Sequence, residues 1–84
     1  MEDRTLNQTV LNLYDNFKEF GKKHSIRELA EHIYPEWTIV RITNNSLTIV
    51  ATIETCESYF DFRVQVIKNA YDTNVVITYD RILD

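Results

Sequence analysis

The sequence has little of the residues that build phosphate loops, disulfides and basic surfaces. Its 84 residues include one glycine, one proline and one cysteine. One glycine cannot form the glycine-rich loop that cradles phosphate groups, and one cysteine cannot form a disulfide within the chain. Nine basic residues stand against 13 acidic ones, for a net charge of −4. This balance argues against sequence-independent nucleic-acid binding, which needs clustered lysine and arginine.

Long apolar runs are also missing. No stretch approaches the roughly 18 consecutive apolar residues of a membrane span, and residues 1–5 lack the apolar segment that begins a secretory signal. We therefore expect a protein of the host cell cytosol that makes no membrane contact. In that reducing compartment the lone Cys56 is expected to be a small buried hydrophobe rather than a nucleophile.

The residues that are present predict one globular domain over 1–84. Its hydrophobic content of 44% is well above that of a disordered chain, and its length suffices for a single core. A first helix is predicted over residues 5–21, with Thr5 as N-cap and Gly21 as a C-terminal cap with positive φ. Its buried stripe recurs at steps of three and four residues and consists of Leu6, Val10, Leu13, Tyr14 and Phe17.

A second helix is predicted over residues 25–34. Ser25 and Glu28 have the spacing of a capping box, in which each side chain accepts a hydrogen bond from the other residue's backbone N–H. Pro35 is expected to stop this helix. The residues that face the core at helical spacing are Ile26, Leu29, Ala30 and Ile33.

From Trp37 onward the pattern predicts strands, over residues 37–43, 46–53, 58–67 and 74–80. Asn44-Asn45 is predicted to form a type I′ turn, which would pair Ile42 with Leu47 and Val40 with Ile49. The alternating residues expected to point inward are Phe60, Phe62, Val64 and Val66. Helices first and strands afterwards predict an α+β fold, with two N-terminal helices packed on a four-stranded antiparallel β-sheet.

The predicted turn also places Trp37, Ile39 and Val50 together on the sheet face away from the helices. Two interpretations of these apolar residues are open. Either they form an exposed patch that meets a partner, or the sheet curls and the first helix covers part of them.

The sequence contains no set of residues typical of catalysis or of metal binding. His24 and His32 are eight residues apart, without cysteine or paired carboxylates at metal-ligand spacing. We therefore expect no enzyme activity, no cofactor and no metal, which leaves a binding function. Carboxylates on a helix or sheet edge can imitate the phosphates of DNA. The candidates for this role are Glu28, Glu31 and Glu36, with Glu54, Glu57 and Asp61 further along the chain.

The second predicted helix and the strand after it resemble part of the staphylococcal uracil-DNA glycosylase inhibitors. The similar residues are Ser25-Ile26, Glu28, Ala30, Ile33 and Pro35, followed by Val40-Arg41. The length and the order of elements are similar to those of the phage uracil-DNA glycosylase inhibitor. The resemblance covers about a dozen residues. It implies an N-terminal helix, a short helix opened by Ser-Ile, and an antiparallel sheet.

In that family a Glu-Ser-Ile motif sets a carboxylate against the DNA-binding loops of the glycosylase, and an apolar pocket takes up a leucine of the enzyme. His24 stands here in place of the motif glutamate. The resemblance and the acidic candidates together predict nine partner-binding residues: Ser25, Ile26, Glu28, Leu29, Glu31, Ile33, Val40, Glu57 and Asp61.

The predicted function is a small acidic inhibitor, encoded by a phage or mobile element, that blocks a DNA-processing enzyme by DNA mimicry. Uracil-DNA glycosylase is the predicted target. The inhibitor is expected to act as a monomer or weak homodimer without binding nucleic acid. One alternative is an inhibitor of another defence enzyme, such as an anti-CRISPR protein. A second is an interaction module that oligomerises through Trp37, Ile39 and Val50.

Overall fold

The computed structural model describes residues 5–82, which form two helices and one four-stranded sheet. The strands are antiparallel and lie in the order β1-β2-β3-β4, each beside the next in the chain. The predicted α+β fold with two N-terminal helices is confirmed. The element bounds are α1 Leu6–Lys23, α2 Ile26–Glu31, β1 Thr38–Ile42, β2 Ser46–Glu54, β3 Tyr59–Lys68 and β4 Thr73–Arg81.

Helix α1 begins at the predicted cap, where Thr5 Oγ1 accepts a hydrogen bond from the Gln8 backbone N–H at 3.2 Å. Tyr14 was expected in the buried stripe but is exposed. The apolar stripe that packs on the core is Leu6, Val10, Leu13, Phe17 and Phe20.

Gly21 does not end α1, so its predicted role as a C-terminal cap is wrong. The helix continues to Lys23, and no residue of the described chain has a positive φ. Gly21 is buried instead, and a Cβ at this position would lie 2.8 Å from Thr73 Cγ2 and 3.6 Å from Val66 Cγ1. The missing side chain therefore allows α1 to approach the sheet closely, and close packing rather than backbone conformation explains the glycine.

Helix α2 begins with the predicted capping box. Ser25 Oγ accepts a hydrogen bond from the Glu28 N–H at 3.2 Å, and Glu28 Oε1 accepts one from the Ser25 N–H at 2.9 Å. The helix ends at Glu31, three residues before the predicted end at residue 34. Tyr34 precedes proline, and a residue before proline is sterically disfavoured in the helical conformation. The chain instead turns and returns to the sheet.

The core lies between the helices and one face of the sheet. The four inward positions predicted on β3 are all buried, and they pair with buried or half-buried residues of β2. Covering one such side chain contributes about 1.5–3 kcal/mol. The buried apolar residues are Ile26, Leu29, Trp37, Leu47, Ile49, Ala51, Phe60, Phe62, Val64 and Val66.

Strand β1 departs from the predicted register. Ile42 pairs with Leu47 as expected, but Ile49 pairs with Ile39 rather than with Val40. A bulge between Ile39 and Arg41 leaves Val40 as the extra residue. The β1–β2 turn is not type I′, since that turn needs two positive φ angles and the residues from 5 to 82 contain none.

The predicted apolar patch on the outer face of the sheet is not present. Trp37 is only 7% exposed and packs on α1, with its ring centroid 5.8 Å from that of Phe17 at an angle of 89°. Ile39 pairs with the buried Ile49, so it lies on the helix side. Of the three residues only Val50 lies on the outer face, where it pairs with Arg63. The chain therefore offers no Trp37–Ile39–Val50 surface for oligomerisation.

Cys56 is exposed in the β2–β3 loop, so its predicted burial is wrong. The residue lies in a hairpin loop that is stabilised by polar contacts, in which Thr55 Oγ1 accepts hydrogen bonds from the N–H groups of Glu57 and Ser58.

Within residues 5–82, neither helix has the length and apolar character needed to cross a bilayer.

Candidate functional site

A groove of about 670 Å³ between α1 and α2 is the candidate site, and we call it the interhelical groove. Apolar and aromatic side chains make up most of its lining, with a few polar side chains among them. Ligand sites commonly combine these two features. The lining residues are Leu13, Asn16, Phe17, Glu19, Phe20, Lys23, His24, Leu29, His32, Ile33, Tyr34 and Trp37.

Packed core residues form part of the groove. Phe17 and Trp37 meet edge to face, which is a favourable arrangement for aromatic rings. Leu29 is 2% exposed, so it packs beneath the groove surface and offers little accessible area to a partner. These side chains also belong to the core or pack against it, so the same contacts that build the core form this part of the groove.

Three rings lie next to one another in the lining of the groove. His24 stacks on Phe20 with ring centroids 4.0 Å apart, and the His32 ring lies 6.4 Å from that of His24. His32 Nδ1 lies 2.8 Å from the Glu28 backbone oxygen. A carbonyl only accepts, so Nδ1 is the donor, and Nε2 of the neutral ring is left as an acceptor. The groove thus offers flat aromatic surfaces with a hydrogen-bonding edge.

Glu28 lies beside this ring stack. Its Oε2 is 3.8 Å from His24 Nδ1. The hydrogen bond from the Ser25 backbone N–H lowers the pKa of Glu28 below its ordinary value, and the Ser25 hydroxyl and the nearby His24 act in the same direction. Glu28 therefore carries its negative charge at neutral pH while it caps α2.

The structure brings six of the nine predicted partner-binding residues together around α2. Leu29 and Ile33 line the groove. Ser25 and Glu28 form the cap, and Glu31 is exposed on the helix surface. The sixth residue, Ile26, is buried at 3% exposure and so contributes to the core.

The other three predicted residues lie apart from the groove. Val40 is an exposed residue of the β1 bulge and does not line it. Glu57 Oε2 accepts a hydrogen bond from the Leu6 backbone N–H at 3.0 Å and so holds the start of α1. Asp61 Oδ1 accepts one from Thr52 Oγ1 at 2.7 Å on the outer face of the sheet.

The aromatic lining was not identified from the sequence as a site. The helical periodicity predicts Phe17 as part of the core stripe, and the predicted turn places Trp37 on the opposite face. A signal was available, because Trp37 follows shortly after Pro35, where the chain must turn back toward the helices.

A second, shallow depression of about 610 Å³ lies on the outer face of the sheet. Its exposed charged groups are of both signs, with Arg63 among Glu36, Asp61 and Asp80. Such mixed charge is typical of a solvated face. Across residues 5–82, no three histidine, cysteine or acidic side chains converge in a way that could hold a metal ion.

Comparisons with known proteins leave the chain without a family assignment. No protein-family model, no curated protein and no solved structure matches the chain.

Proposed function

We propose that this protein is a non-enzymatic inhibitor that occupies the DNA-binding site of a DNA-processing enzyme, with uracil-DNA glycosylase as the target. The observation that supports the proposal is the Glu28 carboxylate beside His24, a residue that lines the interhelical groove, with Glu31 exposed on the same short helix. An apolar side chain of the enzyme would enter the groove. Glu31 and Glu28 would meet the basic residues that otherwise bind DNA phosphate.

The two parts of this surface contribute differently to binding. Covering one leucine-sized side chain in the groove is worth about 1.5–3 kcal/mol. The carboxylates mainly raise the association rate and select a basic partner. The enzyme's apolar side chain thus supplies affinity, and the charges supply orientation.

The departure at His24 has a structural counterpart. In the family that this segment resembles, the motif position carries a glutamate. Here the Glu28 carboxylate lies 3.8 Å from His24 Nδ1. A negative charge is therefore retained within one side-chain length of the motif position, although it comes from the first turn of α2.

The charge of α2 is tested by Glu31→Lys. Glu31 is exposed and takes no part in the capping box, so the fold should be unchanged. The substitution sets a positive charge against the target's phosphate-binding residues. We expect inhibition of uracil excision to weaken at least tenfold, about 1.4 kcal/mol. Asp15→Lys is the matched control, because it makes the same charge change on an exposed position of α1 outside the groove.

The groove is tested by filling it. Asn16 lines the groove and is exposed, so Asn16→Trp should block entry of a side chain without disturbing the core. Asn12→Trp, one turn earlier on α1 and outside the groove, is the matched control. We expect inhibition to fall at least tenfold for the first variant and to stay unchanged for the second.

Both experiments have results that would refute the proposal. If the parent protein leaves a uracil-excision assay unaffected at stoichiometric excess, the named target is wrong. If it inhibits but Glu31→Lys and Asn16→Trp inhibit equally well, the enzyme is bound elsewhere. Complex formation that is indifferent to salt would also contradict DNA mimicry, since steering by charge is screened beyond roughly 8–10 Å at physiological ionic strength.

A further inference from the structure

Strand β4 is an edge of the sheet along its whole length. Its nine residues, Thr73–Arg81, pair with β3 without a bulge or shift of register. The opposite edge is different, because β1 has five residues, a bulge and an arginine near its end. Bulges, short length and charge are the features by which natural sheets protect an edge from pairing. β1 has all three.

Over residues 73–79 the composition of β4 gives no such protection, and the charged residues of the strand, Asp80 and Arg81, lie at its end. Residues 73–79 contain no charged residue, no proline and no glycine, and five of the seven are the β-branched residues valine, isoleucine and threonine. High strand propensity with low charge is the combination that favours pairing with a further strand. Val76 and Tyr79 of this strand are 47% and 42% exposed.

The hydrogen-bond pattern shows which backbone groups of β4 point outward. Ile82 donates its N–H to the Tyr59 carbonyl of β3, and in an antiparallel pair the direction alternates along the strand. Even-numbered residues of β4 therefore bond to β3, and odd-numbered residues direct their N–H and C=O away from the sheet. Those of Thr73 are taken by Asp72 Oδ1 and Lys18 Nζ. Within residues 5–82, no protein group bonds the outward backbone groups of Val75, Ile77 and Tyr79.

Helix α1 adds an apolar stripe beside this edge. Lys18 reaches the Thr73 carbonyl and lies 3.9 Å from Asp72 Oδ1, which places this side of α1 next to β4. By helical spacing, Leu11 and Tyr14 lie on the same side as Lys18. They are 57% and 40% exposed. An open strand edge and an exposed helix stripe thus run side by side.

We propose that β4 pairs antiparallel with β4 of a second copy of this chain, which makes one eight-stranded sheet in a two-fold symmetric dimer. The symmetry axis passes between Ile77 and its copy. This register pairs Val75 with Tyr79 of the other copy, and each of the three central pairs exchanges two hydrogen bonds. The two α1 helices then lie next to each other, with Leu11 and Tyr14 between them.

Charge and strand length together select this register over its neighbours. When Ile77 opposes its copy, Asp80 opposes Asn74 and Arg81 opposes Thr73, so no like charges meet. A shift of the axis to Val76 would set Asp72 directly opposite Asp80, which is destabilising. A shift to Thr78 avoids that clash but leaves the first two residues of β4 without a partner strand. The register centred on Ile77 is the one that uses all nine residues.

The backbone test uses semisynthesis at the Thr55–Cys56 junction. Residues 56–84 are synthesised with an N-methyl group on Ile77 and ligated to residues 1–55. Methylation removes the Ile77 N–H donor in both copies, so the dimer loses the two hydrogen bonds between the Ile77 residues. The hydrogen bonds between β3 and β4 remain intact. By sedimentation velocity we expect the parent to dimerise and the methylated chain to dimerise at least about thirtyfold more weakly. N-methylation at Thr78, whose N–H faces β3, should lower the melting temperature instead.

The helix stripe is tested by Leu11→Lys, with Asn12→Lys as the matched control. Asn12 is also exposed but lies about 100° further round α1, away from β4. We expect Leu11→Lys to weaken dimerisation at least tenfold and the control to leave it unchanged. A parent that stays monomeric at millimolar concentration, or N-methyl-Ile77 protein that dimerises like the parent, would overturn the proposal. These experiments measure self-association alone, so their outcome does not depend on whether the inhibitor proposal is correct.

Discussion

Replacement of Gly21 by alanine tests how closely α1 packs on the sheet. An added Cβ would lie 2.8 Å from Thr73 Cγ2, closer than two carbon atoms approach without a shift. Thr73 is buried, and its β-branched side chain has few alternative rotamers. Helix α1 must therefore move outward, or Thr73 must rotate against its neighbours.

Two opposing terms decide the net effect. Alanine is favoured over glycine inside a helix by about 1 kcal/mol. Overpacking a well-filled contact typically costs about 1–3 kcal/mol. Since the contact is with a stiff, buried side chain, we expect the cost to exceed the gain. Gly21→Ala should lower the free energy of unfolding by about 1 kcal/mol.

The assay is urea unfolding of four chains: the parent, Gly21→Ala, Thr73→Ser and the double variant. Thr73→Ser deletes the methyl group that the new Cβ would strike. In that background Gly21→Ala should become stabilising by about 1 kcal/mol, because only the helix-propensity gain remains. If Gly21→Ala already stabilises the chain that retains Thr73, the close approach of α1 to β4 is wrong.

Three further predictions concern α2. Ser25→Ala should lower the free energy of unfolding by about 1 kcal/mol, measured by urea unfolding at pH 7, because the helix loses its cap. Glu28 has a lowered pKa in the folded state, so its contribution is present above the ordinary value of 4.5 and is lost as the pH falls through the folded value. Unfolding measured from pH 6 to pH 3 should therefore show a smaller loss of stability for Glu28→Gln than for the parent. Leu29→Ala should cost about 2–5 kcal/mol, since Leu29 is almost fully buried. A small loss on thermal melting would show that Leu29 faces an open pocket instead.

The elements of this fold were predictable because each is specified by neighbouring residues. Thr5 and Ser25 cap their helices through groups three residues away, as their spacing indicated. On β3 the strict alternation of apolar and polar residues identified the buried face correctly. Such signals are local, so they can be read without knowing what packs against the element.

The errors fall where distant parts of the chain decide the outcome. Gly21 is explained by Thr73, which is remote in sequence, and not by the helix end nearby. The bulge in β1 shifts Val40 out of register, and no residue of the strand signals it. The predicted position of Trp37 depends on a regular register from the turn onward, so the one-residue bulge is enough to move it to the other face.

The candidate site was predictable only in part for the same reason. The residues of α2 are adjacent in sequence, and their capping and spacing place them together. The opposite wall of the groove comes from Phe17 and Phe20 of α1. Their helical spacing is equally consistent with core positions, so it does not identify them as groove residues. The sequence links Glu57 and Asp61 to α2 only by their charge, and the charge of a residue does not indicate how far it lies from another.

Each strand pairs with its neighbour in the chain, so the sheet can assemble by closing short loops in succession. Helix α1 is held by contacts of much longer range, which span 51 residues from Leu6 to Glu57 and 55 residues from Lys18 to Thr73. Closing such loops costs more chain entropy than closing a hairpin. We therefore expect the strands to be ordered in the folding transition state and α1 to dock afterwards. Substitutions on α1 should then speed unfolding in stopped-flow experiments and leave the folding rate nearly unchanged.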